Sequence, residues 1–235
     1  MSTNDTASPT SETWDHLDPG GIPSLIGRYA ADRLPQLGGA LCLDFTNTAV
    51  WRMRPEPDET LVAYDDLLRW AVRAGAIDEP AAAALRLTAD ASQGAAERAV
   101  ERAKTLREAL YRVILAGMAK IAPDPASLET FNRELQAAMA RAGIHPGPEG
   151  LRWDWSPPPD AVDLDLPLWP VVRSAADLLT GPSLARVKRC PGEGCGWLFL
   201  DTSRNGSRRW CDMSSCGNRA RVRAFAARQR EGREA

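Results

Sequence analysis

Histidine is almost missing from this chain. His16 and His145 are the only two in 235 residues, and they lie far apart, so no paired-histidine metal site can be drawn. The sequence also lacks a glycine-rich phosphate loop and a Gly-x-Ser-x-Gly nucleophile turn. It therefore reads as a non-enzyme. Apolar runs are short, and none approaches the roughly 18 residues a membrane span needs, so no membrane partner is expected. Residues 1–19 lack the basic start and apolar core of a secretory leader and are rich in Ser, Thr and Asp. Residues 1–20 are accordingly expected to be a disordered lead-in, and the cytoplasm to be the compartment.

Net charge is also small, −2 overall, which taken alone argues against a polyanion partner. The average conceals a split. Residues 186–235 hold 12 Lys/Arg against 5 Asp/Glu, a balance of +7, and the remainder carries −9. A short basic tail on a long acidic body points to a tail that meets phosphate. The competing reading is a solvated surface whose sign means little.

Five cysteines are present, and four fall between positions 190 and 216. Cytosolic proteins rarely keep disulfides, so the cluster reads as a metal site. The pattern is Cys190-x4-Cys195, then a long gap, then Cys211-x4-Cys216. Two close pairs joined by a longer loop can place four thiolates around one Zn²⁺, and four cysteines leave no open position for a substrate. The expected cofactor is one structural zinc. Cys42, between two leucines, reads as inert core.

Helical periodicity dominates 21–181. Leu61, Tyr64, Leu67, Leu68, Ala71 and Val72 recur at steps of three and four, and Gly75 closes that helix. Pro80 marks a second start, and Gly94 is expected to separate two helices across 79–122. Leu106, Leu110, Val113, Ile114 and Met118 form one stripe of the longer helix. Another helix is expected over 127–142 with Ser127 near its start, and a last one over 167–180, ended by Gly181-Pro182. Leu41-Cys42-Leu43-Asp44-Phe45 alternates as a strand would, and so do Leu151, Trp153 and Trp155, with 143–150 as a loop. These two strands are expected to pair, and Pro157-Pro158-Pro159 to break the chain after them. Trp153, Trp155 and Trp169 read as core or interface anchors.

The tail follows a different plan. Trp197-Leu198-Phe199-Leu200 reads as a strand, Asn205-Gly206 as a tight turn, and Arg208-Arg209-Trp210 as the return strand. A helix then opens near Cys216. A knuckle, a hairpin and a helix in that order suggest a treble-clef-like finger over 182–235. On the last helix Val222, Phe225 and Ala226 form an apolar stripe expected to dock on the hairpin. Arg219, Arg223 and Arg230 flank it on one side, Arg221 and Arg228 on the other. With Arg204, Arg208 and Arg209 at the hairpin, these eight arginines are the candidate nucleic-acid contacts.

Trp210-Cys211 and Cys216-Gly217-Asn218-Arg219, with Trp197, Phe199 and Asp201 upstream, resemble the CGNR zinc-finger family. Leu41-Cys42-Leu43-Asp44-Phe45-Thr46-Asn47-Thr48 resembles the opening of the ABATE domain, which precedes that finger in bacterial stress-induced transcription regulators. The resemblance implies a bacterial DNA-binding regulator whose helical body senses something. The fold expected is therefore α+β: a mainly helical N-terminal domain with a small sheet, plus the zinc finger. Asp44, Asn47, Thr48 and Arg52 are candidates to line a small-molecule effector site, against the simpler reading that they cap nearby backbone. A second functional reading remains open, a zinc-stapled protein-interaction or homodimerisation module without DNA contact.

Overall fold

The computed structural model describes residues 31–155 and 163–234. The expected lead-in at 1–20 and the break at Pro157–Pro159 lie outside these residues. The protein is α+β, with a mainly helical body, small two-stranded sheets and a C-terminal finger.

The body is built around one long helix. Helices α2 (Tyr64–Arg73), α3 (Glu79–Ala91), α4 (Gln93–Ala119), α5 (Pro125–Met139) and α6 (Trp169–Thr180) pack with the short α1 (Leu41–Thr46). Leu106, Leu110 and Ile114 of α4 are fully buried in the centre of this core. The break between α3 and α4 falls at Ser92, whose backbone leaves the helical region, and Gly94 sits inside the first turn of α4. Pro125 opens α5: Asp124 is its N-cap and accepts the Ser127 N–H at 2.9 Å. A proline at the first helical position loses no hydrogen bond there.

Two strand expectations in the body need correction. The segment at 41–46 is helical, with Cys42, Leu43, Phe45 and Thr46 buried. Cys42 is as apolar as its neighbours, so both flanks of the segment can be buried. The alternation of Leu41, Leu43 and Phe45 is then no longer diagnostic. The strand at Trp153 and Trp155 exists as β4 (Gly150–Trp155), but its partner is β3 (Ala142–Gly147), in the stretch read as a loop. Gly150, at φ +119°, turns the chain between them. Trp153, Trp155 and Trp169 meet in series, edge-to-face at 4.5 Å and tilted at 5.7 Å between ring centroids. Arg173 lies 3.7 Å over the Trp153 ring.

Beyond α1 the chain makes a small ribbon, β1 (Ala49–Val50) with β2 (Asp58–Glu59). Beside it lies a half-buried ion network. Arg107, 4% exposed, grips Glu59 through two nitrogens at 2.7 and 2.6 Å. It also reaches Glu108, which in turn binds Arg52 at 2.5 Å. Bidentate pairs of this kind fix geometry as well as charge, and here they fix the loop 46–60.

After α6 a 3-10 turn (Pro182–Arg186) leads to β5 (Val187–Arg189), antiparallel to β6 (Leu198–Leu200). A π-helical turn (Met213–Gly217) opens into α7 (Asn218–Glu234). The expected return strand at Arg208–Trp210 is not one. Asp201 takes that role: one oxygen accepts the Ser203 N–H and hydroxyl, the other accepts Lys188 Nζ at 2.6 Å and the Arg208 N–H at 3.0 Å. The Lys188 hydrogen bond, then those from Ser203, hold its carboxyl well below the usual carboxylate range.

Candidate metal centre and nucleic-acid interface

The first knuckle grows out of the β5–β6 ribbon. The Cys190 N–H donates to Trp197 O and the Cys195 N–H to Gly192 O, which closes a tight turn over the four intervening residues. A Cβ at Gly192 would stand 2.9 Å from Cys216 Sγ, so this position has room only for glycine. The second knuckle is set by Asp212, whose carboxylate accepts the Ser215 N–H at 2.8 Å and caps the π turn. The turn carries Cys211 and Cys216 to the same point.

All four cysteines are buried, and their sulfurs lie within 4.8 Å of one another. Cys195–Cys211 and Cys211–Cys216 are separated by 3.7 and 3.6 Å. A tetrahedron with Zn–S bonds of about 2.3 Å has edges of about 3.8 Å, so the sulfur spacing fits zinc. Hydrogen bonding to the Cys190 sulfur pushes the Cys211 thiol up. The same kind of contact pulls Cys216 down, helped by Arg219, whose Nη2 donates to its sulfur at 3.2 Å. A bound dication holds all four as thiolates.

The metal centre does not hang free of the body. Its cysteines share one buried cluster with Leu34, Val50, Trp51, Trp197 and Phe199. Asn47, 3% exposed, accepts the Leu198 N–H and donates to the Leu198 carbonyl, both at 2.9 Å. Its amide thus covers the outer edge of β6 as another strand would, and the Leu200 N–H donates to Gly38 O on the same edge. Trp197 Nε1 donates to Ala49 O, the Tyr111 hydroxyl to Gly196 O, and the Met53 N–H to Gly194 O. Trp51 adopts φ +54°, uncommon for a bulky residue. Arg54 and Arg219 each lie 4.2 Å from its ring centroid. Sequence reasoning missed Trp51, because a single tryptophan after Ala49-Val50 carries no local signal of a contact with the metal side.

The effector candidates are committed elsewhere. Asp44 accepts the Gly38 N–H at 2.8 Å, and Thr48 donates to Phe45 O and accepts from Arg107. Arg52 binds Glu108 and Thr46 O, and lies 4.1 Å over the Tyr111 ring. The cleft beside Asp44 and Asn47 holds about 10 Å³, room for one water. Asp44, Thr48 and Arg52 are thus hydrogen-bonded within the body, and Asn47 ties body to finger. Burial pushes the Cys42 thiol up to about 11, in keeping with an inert core position.

The eight arginines divide. Arg208 is half-buried, donates to Leu37 O, Trp210 O and Cys211 O, and stacks on Phe199, so its fork is used internally. Arg219 is held by Cys216 and Trp51. Arg204, Arg209, Arg221, Arg223, Arg228 and Arg230 are exposed, with Arg223 paired to Glu193 of the first knuckle. The apolar stripe of α7 does not dock on the ribbon. Val222 and Phe225 are each 59% exposed, and every residue from 221 to 230 faces solvent.

A closed four-thiolate centre on a ribbon, turn and helix, seated on a helical body, defines a structural zinc finger with a companion domain. The chain belongs to the ABATE family, described as "Putative stress-induced transcription regulator", which it matches over residues 39–182; residues 186–229 match the CGNR zinc finger. The finger holds one structural zinc. Both families are regulator and zinc-finger types, not enzyme families. A search of curated proteins finds no match. Among the described residues no helix is long and apolar enough to cross a membrane.

Proposed function

We propose that this protein is a transcription regulator that contacts DNA through its zinc finger. One observation carries the reading. Helix α7 projects Arg221, Arg223, Arg228 and Arg230 into solvent, from the end of the chain whose balance is +7 beside a body at −9. Phosphate repels the body and attracts this helix, so the field orients the encounter. Zinc plays no part in chemistry here. Its four thiolates fix the turn from which α7 starts, and Arg219 carries that order into the first turn of the helix.

The test is selective enrichment of genomic duplex fragments by the full-length, zinc-loaded protein. The reading expects a recurring fragment class at moderate salt. No affinity for any duplex at low salt removes it. The exposed Val222 and Phe225 favour one second reading, a protein-interaction or dimerisation module, which then takes its place.

A further inference from the structure

Helix α7 carries more than positive charge. At about 100° per residue, Val222, Phe225 and Gln229 fall within a sector about 60° wide, and all three are exposed. Arg221 and Arg228 lie on one flank of the sector, Arg230 on the other. Along the axis the three span about 10 Å, the rise of about three base pairs. A major groove about 12 Å wide accepts one such helix, and its walls are phosphate. The flanking arginines match those walls.

The central residues match something else. The thymine C5-methyl is an apolar group on the major-groove edge, and a glutamine amide pairs bidentately with adenine N6 and N7. Guanine would call for arginine at the centre of the sector, where α7 has none. We infer that α7 reads A·T pairs in the major groove, with Phe225 and Val222 on thymine methyls and Gln229 on adenine, while the arginines hold the phosphates. This rests on the DNA-contact reading above. It also accounts for an apolar stripe left more than half exposed between cations.

The experiment uses the full-length zinc-loaded protein and four synthetic duplexes: A·T-rich, the same with uracil for thymine, the same with 7-deazaadenine, and G·C-rich. Uracil removes only the methyl, and 7-deazaadenine only the N7 acceptor. Wild type should favour the A·T duplex over G·C by about tenfold or more, and lose about fivefold with either replacement. Phe225→Ala should lose part of the sensitivity to uracil and Phe225→Ala with Val222→Ala all of it, and Gln229→Ala should become indifferent to 7-deazaadenine. All three positions are exposed, so zinc content and helicity should be unchanged. Equal wild-type affinity for all four duplexes overturns base reading and leaves the DNA-contact reading standing. No affinity for any duplex at low salt overturns both. If Phe225→Ala instead converts a dimer to a monomer in sedimentation, with the thymine-to-uracil ratio unchanged, the stripe serves a second copy and the inference is wrong.

Discussion

At the scale of the residue, Asn47 decides most. Its side chain satisfies both backbone groups of Leu198, and each buried group left unpaired costs about 1–3 kcal/mol. Asn47→Ala should therefore lower unfolding stability by about 2–4 kcal/mol, measured by urea denaturation of the zinc-loaded protein; a loss under about 0.5 kcal/mol would mean water replaces the amide. Asp44 makes a prediction about pH. Burial raises its carboxyl from 3.8 to about 6, so the folded state holds the proton more tightly than the unfolded chain does. The stabilisation from that proton is complete below about pH 3.8 and lost as pH rises through 6. Asp44→Asn should thus raise stability at about pH 8 by about 1–3 kcal/mol and flatten the profile between about pH 4 and 7, because an amide oxygen still accepts the Gly38 N–H. Thermal melts across that range check it. The sequence marked Asp44, Asn47, Thr48 and Arg52 as polar groups in an apolar setting. The local backbone bonds of Asp44, Thr48 and Arg52 fit the capping reading, but the Asn47 partner was not legible, since Leu198 lies 151 residues away and periodicity carries no information at that separation.

At the scale of the element, long amphipathic helices were legible and short segments were not. Helix α4 has many turns in which its stripe can repeat. Helix α1 has six residues, too few to separate a period of about 3.6 from one of about 2 once Cys42 fills the second flank. Spacing alone brought the four cysteines together, because four soft ligands in two close pairs have one economical arrangement. Burial of the α7 stripe could not be judged the same way, since amphipathicity says which face seeks cover and not whether cover is present. The exposure of α7 leads to a dynamic prediction. A 17-residue helix that packs mainly through its first turns draws little stability from tertiary packing. Its amides over 221–234 should exchange with solvent much faster than those of α4 around Leu110, and slow when DNA binds. Hydrogen exchange read by mass spectrometry checks this, and protection equal to that of α4 in the free protein would contradict it.

At the scale of the whole molecule, body and finger form one packed unit joined through Trp51, Trp197, Tyr111 and Asn47. Zinc loading should consequently be felt in the body. Stripping the metal, or replacing Cys211 by Ser, should lower the melting temperature reported by the body core as well as disorder the finger. An unchanged body transition would show the two parts to be independent. The central claim is that an acidic body presents a basic helix to nucleic acid, and the salt dependence of duplex binding tests it most directly. Counterion release gives a slope of log K against log salt near about −0.9 for each phosphate neutralised. The account predicts a steep negative slope for the full-length zinc-loaded protein. Replacing Arg221, Arg228 and Arg230 by Ala, with zinc and helix retained, should make that slope shallower by about 0.9 for every phosphate the variant no longer neutralises. An unchanged slope in that triple variant, or a wild type with no duplex affinity at low salt, would contradict it.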